Sequence, residues 1–174
     1  IFTLIKLAQA VFKRARQKNL KPYEGVKETL EWLKSQGVLI VGMSNAPFYN
    51  AEIRIKQLFI DKYFYGLAAR EDLHLPDDEF TIRINQNKEN KKYESTKIVK
   101  KWVLKKEQLK PNTYGYSKIM EDLKVDPKNT YIIGDSILKD VQPAIEIGAK
   151  GIWAKYGEER KKKNLDTVLS MTNW

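Results

Sequence analysis

Cysteine is absent from the sequence, which removes disulfide scaffolds, thiol nucleophiles and cysteine zinc sites together. A reducing, cytoplasmic setting fits that absence. Histidine is nearly absent too: His74 stands alone in a polar stretch away from any expected strand end, and reads as a loop residue without catalytic duty. No run of about 18 apolar residues occurs, so no membrane-spanning helix is expected. Internal repeats and low-complexity segments are lacking. The segment opening at Ile1 has the marks of neither a signal nor a transit peptide, because it passes without a cleavage-like stretch into helical periodicity. With isoleucine rather than methionine first, the sequence is expected to start inside a longer protein.

What is present suits a soluble globular protein of one domain, or one domain with a small appendage: 174 residues, 42% apolar and 31% charged. A domain of about 150 residues hides roughly 68–70% of the surface its unfolded chain exposes, so no metal or disulfide is needed to hold the core. The excess of 32 Lys and Arg over 22 Asp and Glu gives +10, a field that favours encounters with phosphorylated metabolites, nucleic acid or acidic lipid. The lysines spread along the chain, with Lys161-Lys162-Lys163 the one tight run. A solvated basic surface is the plain reading, and a nucleic-acid or acidic-protein partner the alternative.

Apolar residues at Ile1, Leu4, Ile5, Ala8, Val11, Phe12 and Ala15 predict an amphipathic opening helix. A second is expected from about Val26 to Gln36, burying Val26, Leu30 and Leu33 and stopped by Gly37. The run Val38 to Val41 predicts a strand covered on both faces, with Gly42 to Asn45 as its exit and a helix from about Phe48 to Leu58. Tyr63 to Leu67 is a further candidate strand. Arg70 to about Tyr93 reads as a polar excursion, with a hairpin around Phe80 to Ile84. Helical spacing returns at Ile98, Val99, Trp102 and Val103, and again after Lys110-Pro111 at Tyr116, Ile119, Met120 and Leu123. Thr130 to Ile133 is a predicted buried strand, Ile137 to Ile147 a helix ended by Gly148, and Gly151 to Ala154 a last strand. Trp102, Tyr131 and Trp153 sit at core spacing. Alternating strand and helix predicts an open parallel sheet with right-handed crossovers.

In such sheets ligands collect beyond the carboxyl ends of the strands. Two predicted strands end in polar groups there: one delivers Ser44 and Asn45, the other Asp135, Ser136 and, a turn later, Asp140. A hydroxyl followed by free loop amides suits a phosphate oxyanion. Two carboxylates suit Mg²⁺, which takes a few carboxylate oxygens with water and substrate phosphate. Taken singly, Ser44, Asn45, Asp135 or Ser136 could each be a helix cap, Asp140 a surface acid and Lys110 a solvated lysine.

Their order in the chain is more telling. Met43-Ser44-Asn45, then Lys110-Pro111, then Tyr131-Ile132-Ile133-Gly134-Asp135-Ser136-Ile137-Leu138-Lys139-Asp140 resembles the second, third and fourth motifs of the haloacid dehalogenase-like hydrolase superfamily. Tyr23-Glu24-Gly25-Val26 and Gly148-Ala149-Lys150-Gly151 look like the same family, so that the resemblance covers about Pro22 to Tyr156. It implies an α/β, Rossmann-like parallel sheet with helices on both faces, and Mg²⁺-dependent hydrolysis of small phosphate esters through an aspartyl-phosphate. Carried over, Ser44 and the Asn45 amide would bind the phosphoryl oxygens and Lys110 would neutralise charge on phosphate and nucleophile. Asp135 would bind Mg²⁺ directly, with Asp140 ligating it or orienting its waters. A dehalogenase on the same scaffold is the competing activity, and Ser44 with the two acids argues for phosphate.

The family's first motif, an Asp-x-Asp segment carrying the nucleophile, does not occur in these residues. Asp77-Asp78 follows no apolar strand and does not replace it. Alone, the chain is therefore expected to be inactive and poorly soluble, with the nucleophile upstream of Ile1. Residues 1–20 are read as the remnant of a helical cap and 21–174 as the core, with an insertion at about 70–104. The span from Ser44 to Lys110 is about twice that of capped relatives, which leaves Lys105 and Lys106 as alternatives to Lys110.

Overall fold

The computed structural model describes residues 20–72 and 97–157, together with Val11. The expected opening helix, His74, Asp77-Asp78 and the expected hairpin around Phe80 lie outside the described residues. The chain forms two compact units, residues 1–42 with 46–101 and residues 43–45 with 102–174.

In the first unit, α1 (Val26–Ser35) places Glu28 in its first turn and Lys34 in its last, the charge order that the helix dipole favours. Gly37 follows at φ +74°, a left-handed exit that glycine adopts without a Cβ penalty. Val26, Leu30 and Leu33 are only half-buried, not core as expected, and Trp32 is exposed. The helix α2 (Phe48–Gln57) contributes Phe48 and Ala51 to a cluster with Leu67, Ala69 and Ile98, against which Ile55 and Phe64 pack. Glu52 is buried on the same helix, its Oε1 lying 2.7 Å from Lys101 Nζ.

Two strands depart from the expected boundaries. The strand β1 runs Val41–Pro47, leaving Val38 and Leu39 outside and exposed, so that Ser44 and Asn45 stand within a strand and not beyond its end. The strand β2 is Gly66–Arg70, after a 3₁₀ turn at Asp61–Tyr63. A larger correction concerns Ile98 to Val103. This segment forms a strand, β3 (Lys100–Leu104), and not a helix. Ile98, Trp102 and Leu104 are buried whereas Val99 and Val103 are 73% and 61% exposed, the two-residue alternation of a strand. The first sheet has the order β1-β2-β3.

The second unit is built on α3 (Tyr114–Leu123), β4 (Tyr131–Gly134), α4 (Gln142–Glu146) and β5 (Lys150–Trp153). The strands β4 and β5 pair in parallel, Ile132 opposite Gly151. Tyr116, Met120, Ile132, Ala144 and Ala149 form its core, with Met43, Val125 and Ile147 packed against it. The expected burial of β4 holds on one face alone: Ile132 is buried, while Tyr131 and Ile133 are 58% and 61% exposed. Trp153 is likewise partly exposed, so Trp102 is the one of the three aromatics that fills core space. Strand–helix alternation and the parallel pair give the expected α/β class.

Trp102 also carries a hydrogen bond, donating from Nε1 to Asp122 Oδ2 at 2.9 Å. Asp122 keeps Lys118 as a partner at 3.1 Å. Trp102→Phe is therefore expected to cost about 1–2 kcal/mol, one neutral-donor hydrogen bond and a small void, read from the urea midpoint; an unchanged midpoint would contradict the assignment.

Candidate active site

The sequence Gly134-Asp135-Ser136 turns the chain sharply at the end of β4. Ser136 is extended, and its carbonyl accepts from the Asp140 and Val141 amides at 2.9 and 3.4 Å. Its hydroxyl accepts from the Lys139 amide at 3.3 Å. The capping role weighed for Ser136 is therefore present. The turn that follows, Ile137–Val141, is a wide π-type turn, a geometry that concentrates at functional sites. It carries Asp140 back over Gly134, so closely that a Cβ on that glycine would fall 2.2 Å from Asp140 Cγ.

Asp140 is 4% exposed. A carboxylate so deeply buried requires partners, and among the described residues it has three. Lys110 Nζ lies 2.6 Å from Oδ1, Tyr116 donates its hydroxyl to the same oxygen at 3.1 Å, and the Ser136 amide donates to Oδ2 at 3.2 Å. Burial first, and then the Asp140 charge and hydrogen bond, push the Tyr116 hydroxyl well above the ordinary tyrosine range. It is thus a donor under all ordinary conditions.

Lys110 is held a second time, through its backbone. Asn45, 65 positions away in sequence, donates from Nδ2 to the Lys110 carbonyl at 2.8 Å and accepts from the Lys110 amide at 3.1 Å on Oδ1. The side-chain amide of Asn45 imitates a strand partner and fixes where the lysine leaves the chain. It does not cap α2, which has no side-chain cap. Lys105 and Lys106 are exposed, whereas Lys110 is drawn inward by both contacts, so it is Lys110 that belongs to this cluster.

Asn45, Lys110 and Asp140 are directly linked. Ser44 adjoins Asn45 on β1, and Asp135 follows Gly134 at the end of β4, half-buried. Two side-chain contacts of the cluster, those of Asn45 and Tyr116, are absent from the sequence reading. The sequence gives Asn45 a role through its backbone amide alone, and its helical spacing places Tyr116 in the core, where it does lie. The one available signal for Tyr116 was a polar atom on an otherwise apolar face.

For a divalent cation the described residues contain no group of three or more His, Cys, Asp or Glu side chains. Mg²⁺ needs less, often one or two carboxylates completed by water and phosphate. Asp135 and Asp140 match that donor chemistry. Asp140 has both Oδ1 lone pairs and one on Oδ2 engaged, leaving a single direction free.

A profile of the haloacid dehalogenase-like hydrolases matches residues 3–98, and a related HAD-hydrolase-like profile matches 109–170. Among solved structures, a HAD phosphatase from Thermococcus onnurineus is 21% identical, with a TM-score of 0.51 over 75% of this chain and 45% of that one. A putative beta-phosphoglucomutase from Thermotoga maritima is 24% identical, with a TM-score of 0.52 over 79% of this chain and 48% of that one. A haloacid dehalogenase-like family hydrolase from Xanthomonas campestris is 16% identical, with a TM-score of 0.53 over 83% and 47%. These likenesses establish a shared Rossmann-like α/β fold. The chain spans less than half the length of each of these structures.

Proposed function

Because the chain belongs to the haloacid dehalogenase-like hydrolases, whose profile spans more than half of it, we propose that it carries the phosphate- and Mg²⁺-binding side of a phosphatase for a small phosphorylated metabolite. The observation that carries this reading is the double hold on Lys110, by the Asn45 amide on its backbone and by the buried Asp140 on its ammonium. A lysine serving solubility needs neither. One placed to meet a dianion needs both, since phosphoryl transfer depends on positioning and charge neutralisation.

In this reading Ser44 donates its hydroxyl to a phosphoryl oxygen and the Asn45 backbone amide binds beside it. Lys110 neutralises charge on the phosphate and on the attacking carboxylate. Asp135 and Asp140 hold Mg²⁺, which when bound supplies further neutralisation of the phosphoryl oxygens. The family's nucleophile is an aspartate of its first motif, which residues 1–174 do not contain; it forms the aspartyl-phosphate that water then hydrolyses. The net charge of +10 favours the approach of an anionic substrate. Among the described residues no helix is long and apolar enough to cross a membrane.

The test is phosphate release by the full-length protein from a panel of sugar and nucleotide monophosphates. Turnover is expected to require Mg²⁺ and to fall at least about a hundred-fold in Asp135→Asn, the scale of losing one preorganised electrostatic group. Turnover indifferent to both would overturn the proposal.

A further inference from the structure

Tyr116 is placed by α3 in the core of the second unit, its ring among Met120, Ile132, Ala144 and Ala149. A phenylalanine would fill that position without a buried hydroxyl to satisfy. Here the hydroxyl is 3.1 Å from Asp140 Oδ1 and 3.3 Å from the Lys139 carbonyl. With one proton to give, it donates to the nearer and charged acceptor. Oδ1 therefore accepts from Lys110 on one lone pair and from Tyr116 on the other, while the Ser136 amide occupies one side of Oδ2.

We propose that Tyr116 is a positioning residue, acting through Asp140: its hydroxyl locks the rotation of the carboxylate and so fixes the direction of the remaining Oδ2 lone pair. The lysine alone does not supply that lock. An ammonium on a four-carbon stem follows a rotating carboxylate, whereas a phenol fixed in a packed core is a rigid donor. The Ser136 amide bounds the other oxygen, so the two fixed donors together define the carboxylate plane. Partners of metal-binding groups act this way in general, orienting the ligand instead of touching the metal. The inference rests on the Mg²⁺ reading of Asp135 and Asp140 given above.

The test uses the full-length protein and Mn²⁺ alone, as a calorimetric stand-in for Mg²⁺. Tyr116→Phe keeps the ring and removes the donor, and is expected to weaken Mn²⁺ binding about ten-fold, the lower end of what such partners contribute. Met120→Val, one turn along the same core face, perturbs packing without touching Asp140 and is expected to leave the affinity within about two-fold. An affinity unchanged in Tyr116→Phe overturns the proposal, and so does an equal loss in Met120→Val, which would make the effect one of packing. Absence of Mn²⁺ binding by the unaltered protein would overturn the metal reading and this inference together, whereas intact binding with an indifferent Tyr116→Phe overturns the inference alone.

Discussion

Replacing Lys110 by methionine will destabilise the protein by about 3 kcal/mol and, on the phosphatase reading proposed above, lower phosphate release by about a thousand-fold. The two effects have different origins. Methionine keeps most of the aliphatic stem, so packing changes little. What disappears is the Lys110 charge opposite Asp140, whose side chain is 5% exposed while that of Lys110 is 16% exposed. Breaking a buried pair from one side leaves an uncompensated charge and costs about 3–5 kcal/mol. The lower end applies because Tyr116 and the Ser136 amide still donate to the carboxylate. The activity loss follows from the missing neutralisation of the phosphoryl dianion.

A double substitution separates the effects. Lys110→Met combined with Asp140→Asn removes both charges, so stability is expected to recover most of the loss while activity stays down. Urea denaturation of the four proteins of the cycle measures the coupling, which for contacting residues is not additive. A Lys110→Met protein as stable as the parent would mean that the 2.6 Å contact carries no weight.

The elements around this pair were unequally legible in the sequence. Asp135 and Asp140 were readable because a strand of four apolar and small residues ends just before them, and local spacing fixes how a turn returns the second acid. That Lys110 and Asp140 serve one site is what the family resemblance implies; their direct contact is not, since nothing in the 29 intervening residues encodes it. The Asn45 hold was less accessible still: a side-chain amide standing in for a strand partner leaves no periodic trace. At Ile98-Val99-Trp102-Val103 the apolar residues satisfy helical spacing, but the pattern leaves out Leu104, which is 2% exposed. Counting it turns the register to two. At β4 the apolar character of Tyr131 and Ile133 predicts core, yet only Ile132 faces the packed side. Apolar character establishes that burial is favourable, not that a neighbour is there to provide it.

Gly134→Ala will be the most damaging single methyl in the second unit, costing about 4 kcal/mol and abolishing the metal-dependent turnover proposed above. The residue has no special backbone angle to protect; the constraint is space. The added Cβ would sit 2.2 Å from Asp140 Cγ, 2.3 Å from Oδ2 and 2.4 Å from Cβ. Asp140 has no way to yield, being buried and held by Lys110, Tyr116 and the Ser136 amide, so either β4 shifts or the carboxylate leaves its donors. Overpacking costs about 1–3 kcal/mol, and disrupting the buried pair adds to it. Gly115→Ala is the proper comparison, because its Cβ would approach the Met43 Cε to 2.5 Å, nominally a severe clash as well. There the obstacle is the free end of a flexible side chain, and alanine also favours the α3 helix by about 1 kcal/mol, so the net loss is expected to stay near 1 kcal/mol. Urea midpoints for the two variants decide between distance and rigidity: equal losses would refute the argument that Asp140 is clamped, whereas a gap of about 3 kcal/mol is what its three fixed donors require.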